Sequence, residues 1–297
     1  IENVCDVKDI EIRIGEKQRN LPIEIWINKP NRVKLSIISP SGEMIDNLDS
    51  KNTNNERIKF LYEGTEMIVN FTSPELSTGD SLIFIRAYNL RPGIWKFRLT
   101  GEYIVEGNYY AWIPQRELID DETEFLNPVE YTTITLPSTS NNAISVGYYN
   151  QNNNSIVSES SNGYTRYGNI KPDIVAGGSN ALVTIPGGAT SVMSGSSVAG
   201  AVVAGCCALI LQWAVTDGNY PGIYSSQIKT YIISGAKTRP GDIYPNRQWG
   251  YGMFDMKGIF DRIKDTYNPR KSEDYEEYRV NNLFIRIPKS RYNRTIN

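Results

Sequence analysis

Ser194-Gly195-Ser196-Ser197-Val198-Ala199 leads into a long apolar stretch, Val198 to Val215, interrupted only by Gln212. A serine at the mouth of a helix sits beside backbone N–H groups that have no intrahelical partner, at the positive end of the helix dipole. Those groups can stabilise the oxyanion formed when the hydroxyl attacks a carbonyl, so acyl transfer is the chemistry this pattern allows. Gly195 would let the backbone approach a substrate closely. A plainer role is open to the same residues, since Ser196 or Ser197 could simply cap the helix. Attack also needs a base. The chain contains no histidine, so it cannot form a Ser–His–Asp triad alone.

Chain order separates the folds that place a serine at such a turn. The α/β-hydrolase elbow is Gly-x-Ser-x-Gly and needs its acid and histidine after the serine. Gly195-Ser196-Ser197-Val198-Ala199 misses that pattern by one residue, and no histidine follows. In the order Asp, His, Ser both partners precede the nucleophile, and only this order survives. Gly195-Ser196-Ser197-Val198-Ala199-Gly200-Ala201-Val202-Val203-Ala204-Gly205 resembles the subtilase signature Gly-Thr-Ser-(Met/Val)-Ala-x-x-x-Val-Ala-Gly, with Ser197 on the nucleophile. Ala143-Ile144-Ser145-Val146-Gly147, Ile170-Lys171-Pro172-Asp173-Ile174-Val175-Ala176 and Trp249-Gly250-Tyr251-Gly252 resemble the flanking family segments, in the family's order.

Tyr164-Thr165-Arg166, Tyr244-Pro245-Asn246-Arg247-Gln248-Trp249 and Asn282-Leu283-Phe284-Ile285-Arg286-Ile287-Pro288 are similar to segments of the Csp-type subtilases of spore-forming bacteria. That resemblance implies a serine endopeptidase that activates a spore-cortex lytic proenzyme during germination, or a pseudoprotease relative that regulates germination by binding. It implies a spore-associated protein made in the cytoplasm. It also implies that the catalytic Asp and His and the oxyanion Asn belong to an N-terminal half of the protease domain, with a prodomain, outside this chain. This polypeptide alone is then expected to be inactive, and no cofactor or metal is expected. The chain departs from the family where "APG" reads Ala176-Gly177-Gly178, losing a stiff turn, where Ser196 replaces threonine, and where Ala201-Val202 replaces a frequent Pro-His.

Two regions must position the serine. Residues 1–125 read as an antiparallel β jelly roll. Ile10-Glu11-Ile12-Arg13, Val33 to Ile37 and Ile94 to Leu99 alternate apolar with polar, as half-buried strands do. Leu82-Ile83-Phe84-Ile85 is continuously apolar and fits a central strand. Such a module could bind carbohydrate or protein by itself, but burial against a protease domain is the preferred role. Residues 126–297 alternate strands with helices and read as the C-terminal part of an α/β subtilisin-like domain, a parallel sheet with flanking helices. Strands are expected at 132–135, 143–146 and 171–176, a polar surface loop over 149–163, and helices over 198–215, 225–234 and 255–263, the second capped by Ser225 or Ser226.

The remaining signals are bland. The 31 basic and 33 acidic residues leave a net charge of -2 and imply no attraction to nucleic acid. Lys289, Arg291 and Arg294 read as a solvated terminus. Asp120-Asp121-Glu122-Thr123-Glu124 reads as a solvated loop rather than a calcium site, and Tyr109-Tyr110-Ala111-Trp112 as a strand. Cys5, Cys206 and Cys207 form no disulfide framework, and the vicinal pair reads as core. The apolar run reaches the lower length limit for a membrane span, but its Ala, Gly and Val content without basic flanks fits a soluble core helix, so no span is expected. The first residues look nothing like a signal peptide.

Overall fold

The computed structural model describes residues 1–49 and 55–267, and residues 275–280 and 283–288 as backbone strands. Lys289, Arg291, Arg294 and Asn282 lie outside the described residues. The chain divides into two compact units, Ile1–Pro128 and Val129–Asn297.

Among the described residues the first unit has ten strands: β1 (Val7–Ile14), β2 (Asn20–Ile27), β3 (Arg32–Ile38), β4 (Met44–Leu48), β5 (Glu56–Lys59), β6 (Glu66–Thr72), β7 (Ser81–Tyr88), β8 (Gly93–Tyr103), β9 (Tyr109–Trp112) and β10 (Glu124–Phe125). They form two five-stranded sheets, in the orders β10-β1-β8-β3-β4 and β5-β6-β7-β2-β9. Every pairing within them is antiparallel. Strict alternation makes this possible. Leu21, Ile23, Ile25 and Ile27 of β2 and Trp95, Phe97 and Leu99 of β8 all point inward and are buried. The inner faces of both sheets meet in one core, the arrangement of a β-sandwich. Phe60 meets Trp95 edge-on with ring centroids 4.9 Å apart, and the indole N–H donates to the Arg91 carbonyl at 3.0 Å. The apolar run 82–85 lies in β7, the central strand of its sheet. Residues 120–124 are bound into the fold, because the Asp120 carboxylate accepts the Lys17 N–H (3.0 Å) and Glu124 pairs with Arg13 (2.7 Å).

The second unit carries β11 (Val146–Asn150), β12 (Ser155–Ile156), β13 (Ile174–Gly177), β14 (Ala181–Thr184), β15 (Thr190–Met193), β16 (Tyr275–Val280) and β17 (Leu283–Pro288). Its helices are α1 (Ser196–Leu211), α2 (Ser225–Ser234) and α3 (Met256–Tyr267). β11 and β13 pair in parallel, β12 folds back antiparallel on β11, and β14 and β15 form a hairpin. Ala199, Val203, Cys206 and Ile210 of α1 pack with Tyr148, Ile174 and Ala176 of the sheet and with Ile228, Ile232, Ile259 and Ile263 of α2 and α3.

Several expectations shift here. Residues 132–135 form no strand, because Thr132 takes a left-handed backbone (φ 63°) that breaks extension. β11 begins at Val146 rather than Ala143. The Ser145 N–H goes to the Asp173 carboxylate at 2.7 Å and the Ala143 carbonyl accepts Lys171 Nζ at 2.9 Å, so side chains occupy those backbone groups. The 149–163 segment is not all surface loop: it holds β12 and the buried Ser160, whose hydroxyl accepts the Tyr148 N–H at 3.1 Å. The α2 cap is Tyr224, not Ser225 or Ser226, and its N–H donates to Gln227 Oε1 at 3.2 Å. α1 starts two residues earlier than expected, and its last turn, Gln212–Thr216, widens to i→i+5 bonding.

Candidate active site

Ser197 stands exposed in the first turn of α1. The cap position is Gly195, and no side chain caps the helix, so neither Ser196 nor Ser197 is spent on that role. The plainer reading of these serines therefore fails on geometry. Gly195 holds φ 142°, a conformation L side chains rarely adopt, and this sharp entry brings Ser197 to the helix mouth. The Ala199 N–H already donates to the Gly195 carbonyl at 3.3 Å, so the earlier N–H groups of the turn, including that of Ser197, face outward from the helix start.

The turn is held from below by residues 178–180. The Gly195 N–H donates to the Gly178 carbonyl at 2.8 Å, and the Asn180 N–H donates to Ser194 Oγ at 2.8 Å. The approach needs a glycine at 178, since a Cβ there would lie 2.7 Å from the Gly195 carbonyl oxygen. Gly178 is in turn tied to β11, its N–H donating to the Tyr149 carbonyl at 3.2 Å.

Behind the sheet lies a charged cluster that the motif reading did not find. Asp173 accepts Lys171 Nζ at 2.7 Å and Lys229 Nζ at 2.9 Å, and the Asp173 and Lys171 side chains are 4% and 2% exposed. Burial pushes the Lys171 ammonium below its ordinary pKa, and Asp173 opposes that shift. The cluster ties β13 to α2 and to residues 143–145. Lys-Pro-Asp was legible as a motif, but Lys229 comes from a helix 56 residues on, and nothing in its local pattern marks it as a partner.

α1 itself is apolar on all sides, yet only the stripe Ala199, Val203, Cys206, Ile210 and Ala214 is buried. Val202, Leu209, Leu211 and Val215 remain 42–49% exposed. β11, β13, α2 and α3 pack on one side of the helix, and among the described residues of the second unit none covers the other. Ser196–Thr216 is long and apolar enough to cross a membrane by length and composition, with a third of its most apolar window buried. Cys206 is buried and its thiol is pushed up to about 11 by that burial, so it is a core group rather than a reactive one. Cys207 is only half-buried. Among the described residues, no three His, Cys, Asp or Glu side chains are grouped as metal ligands.

Residues 121–252 match the family model described as Subtilase family, Peptidase S8. The subtilisin-like protease SBT6.1 of Arabidopsis thaliana is 30% identical over 149 residues, covering 48% of this chain and 14% of that protein. The structure of the Clostridium perfringens CspB protease superposes with a TM-score of 0.80 at 29% identity, over 89% of this chain and 55% of CspB. The chain thus spans about half the length of CspB and a seventh of the plant relative. The matched segment contains β11, β13, the turn carrying Ser197 and α1, and the likeness to CspB extends across nearly the whole chain. Residues 121–252 thus match the subtilase family, and the likeness to CspB over most of the chain supports a subtilisin-like fold of the Csp type.

Proposed function

We propose that this chain is the nucleophile-bearing portion of a serine endopeptidase, with Ser197 attacking the scissile peptide carbonyl. The observation that carries the reading is an uncapped, exposed Ser197 at the mouth of α1, inside the matched subtilase segment. The Ser197 hydroxyl adds to the carbonyl carbon and gives its proton to an imidazole. The tetrahedral oxyanion is met by the Ser197 N–H and the positive end of α1. Collapse of that intermediate expels the amine and leaves an acyl-serine for water to hydrolyse.

The imidazole must come from other polypeptide, since this chain has no histidine. We assign that role to the N-terminal half of a subtilase domain, with its prodomain as a further partner. CspB has 45% of its length outside the match, and the open apolar face of α1 suits a protein body packed against it. Small residues on that face, Ala201, Ala204, Gly205 and Ala208, allow close backbone approach, and the helix lies within the subtilase match, so we read it as a core helix and not a membrane span. Residues 1–125 are read as the jelly-roll insert and 126–297 as the C-terminal part of the peptidase domain. The substrate is a protein, a cortex-hydrolase proenzyme in a germinating spore, in keeping with the Csp-type fold.

Fluorogenic-peptide hydrolysis tests the reading. The chain alone should show no turnover. Co-expressed with the remainder of a Csp-type domain, it should turn over substrate and lose that activity in Ser197→Ala. In subtilisin, loss of the serine or the histidine lowers kcat by about 10⁶. Turnover that survives Ser197→Ala refutes the proposal. A completed domain that binds the proenzyme without cleaving it establishes a non-catalytic regulator instead.

A further inference from the structure

The family's Ala-Pro-Gly reads Ala176-Gly177-Gly178 here, so the stiff turn after β13 is missing at the point where the chain must support the nucleophile turn. Another group fills that place. The Gln151 side chain lies over Gly177: a Cβ added to Gly177 would come 3.1 Å from Gln151 Cβ and 3.2 Å from Oε1. A side chain at 177 would therefore press on Gln151, and one of the two would have to give by a few tenths of an ångström.

From there the Gln151 amide binds the backbone of Ser179 on both sides. Nε2 donates to the Ser179 carbonyl, and the Ser179 N–H donates to Oε1 at 3.1 Å. β11 ends at Asn150, so the amide acts as one more rung of its ladder. It restrains residues 178–180, the segment whose Gly178 carbonyl and Asn180 N–H hold Gly195 and Ser194. Three short links thus run from Gln151 through Ser179 and its neighbours to the turn carrying Ser197.

We propose that Gln151 is a positioning residue for the Ser197 hydroxyl, replacing with a side-chain clamp the rigidity that proline gives related chains. The proposal rests on Ser197 being the nucleophile, and its test separates the two. In this chain, Gln151→Ala should speed hydrogen exchange at the Asn180 and Gly195 amides by about 5- to 30-fold, the range that losing one or two hydrogen bonds allows. Exchange in α2 and α3 should not change. Gln151→Glu keeps the acceptor and loses the donor, so it should fall between the two. In the completed protease, Gln151→Ala should lower kcat by a similar factor with KM unchanged. Unchanged exchange at Gly195, or an equal rise throughout α2 and α3, would overturn the clamp. If exchange behaves as expected but Ser197→Ala stays fully active, the clamp stands and the nucleophile assignment falls.

Discussion

The two units handle apolar surface and charge in opposite ways. In the first, each strand shows one apolar face, two sheets supply two such faces, and they close on one another. Its ion pairs stay outside: the Arg98 guanidinium holds the Asp9 carboxyl below the ordinary range, but both side chains remain about a third exposed. Such pairs contribute little to stability. In the second unit α1 is apolar all round but buried along one stripe, and the charges of Lys171 and Asp173 sit inside. A sandwich satisfies itself with its own two faces. A helix without a polar face requires neighbours on every side, and the described residues of this unit supply them on one.

The largest expected effects come from the two cores. Trp95→Ala should cost the sandwich about 3–5 kcal/mol, since a fully buried indole leaves a large cavity. Denaturant unfolding followed by exchange in β3 and β8 reads this, and a loss below 1 kcal/mol would mean that the sandwich relaxes as freely as a loose bundle. Asp173→Ala should cost the second unit a comparable amount, about 3–5 kcal/mol, by stranding the Lys171 and Lys229 ammonium groups. If Lys171→Met repairs much of that loss, unpaired charge is the cause; if it does not, the hydrogen bond from Ser145 to Asp173 matters more.

The contrast within α1 is sharper and somewhat smaller. Ile210→Ala on the buried stripe should cost about 2–5 kcal/mol. Its neighbour Leu209→Ala, on the open face, should change the isolated chain by no more than about 0.5 kcal/mol. Equal losses would show that the open face is covered after all. Thiol alkylation gives a companion measure: Cys5 is exposed and should label in the folded protein, whereas Cys206 should label only on unfolding. The smallest effect is electrostatic and belongs to the first unit. Bonds from Ser77 and Thr78 hold the Glu75 carboxyl at about 2 against an ordinary 4.5. Because the folded value is depressed, the contribution is full above pH 4.5 and is lost as pH falls toward 2. Thermal scans across that window should show a shallower acid decline in Glu75→Gln than in the parent.

Local pattern made much of this readable. The alternation in β1, β3 and β8 and the continuous run in β7 announced themselves because side-chain period and strand geometry are tied. α2 spans the 225–234 expected of it. The start of β11 and the burial of Ser160 did not show, because each depends on a partner beyond its own segment: Asp173 for Ser145, and Tyr148 for Ser160.

Residue types and their order were enough to put a serine at the mouth of an apolar helix, to exclude histidine and to identify the subtilase pattern. Whether that serine caps the helix, which stripe of α1 is covered, and how Gln151 reaches across Gly177 were decided only when the chain folded. Periodicity and motif spacing are properties of neighbours along the backbone. Hydrogen-bond satisfaction and burial belong to neighbours in space, and no short stretch of sequence contains both partners.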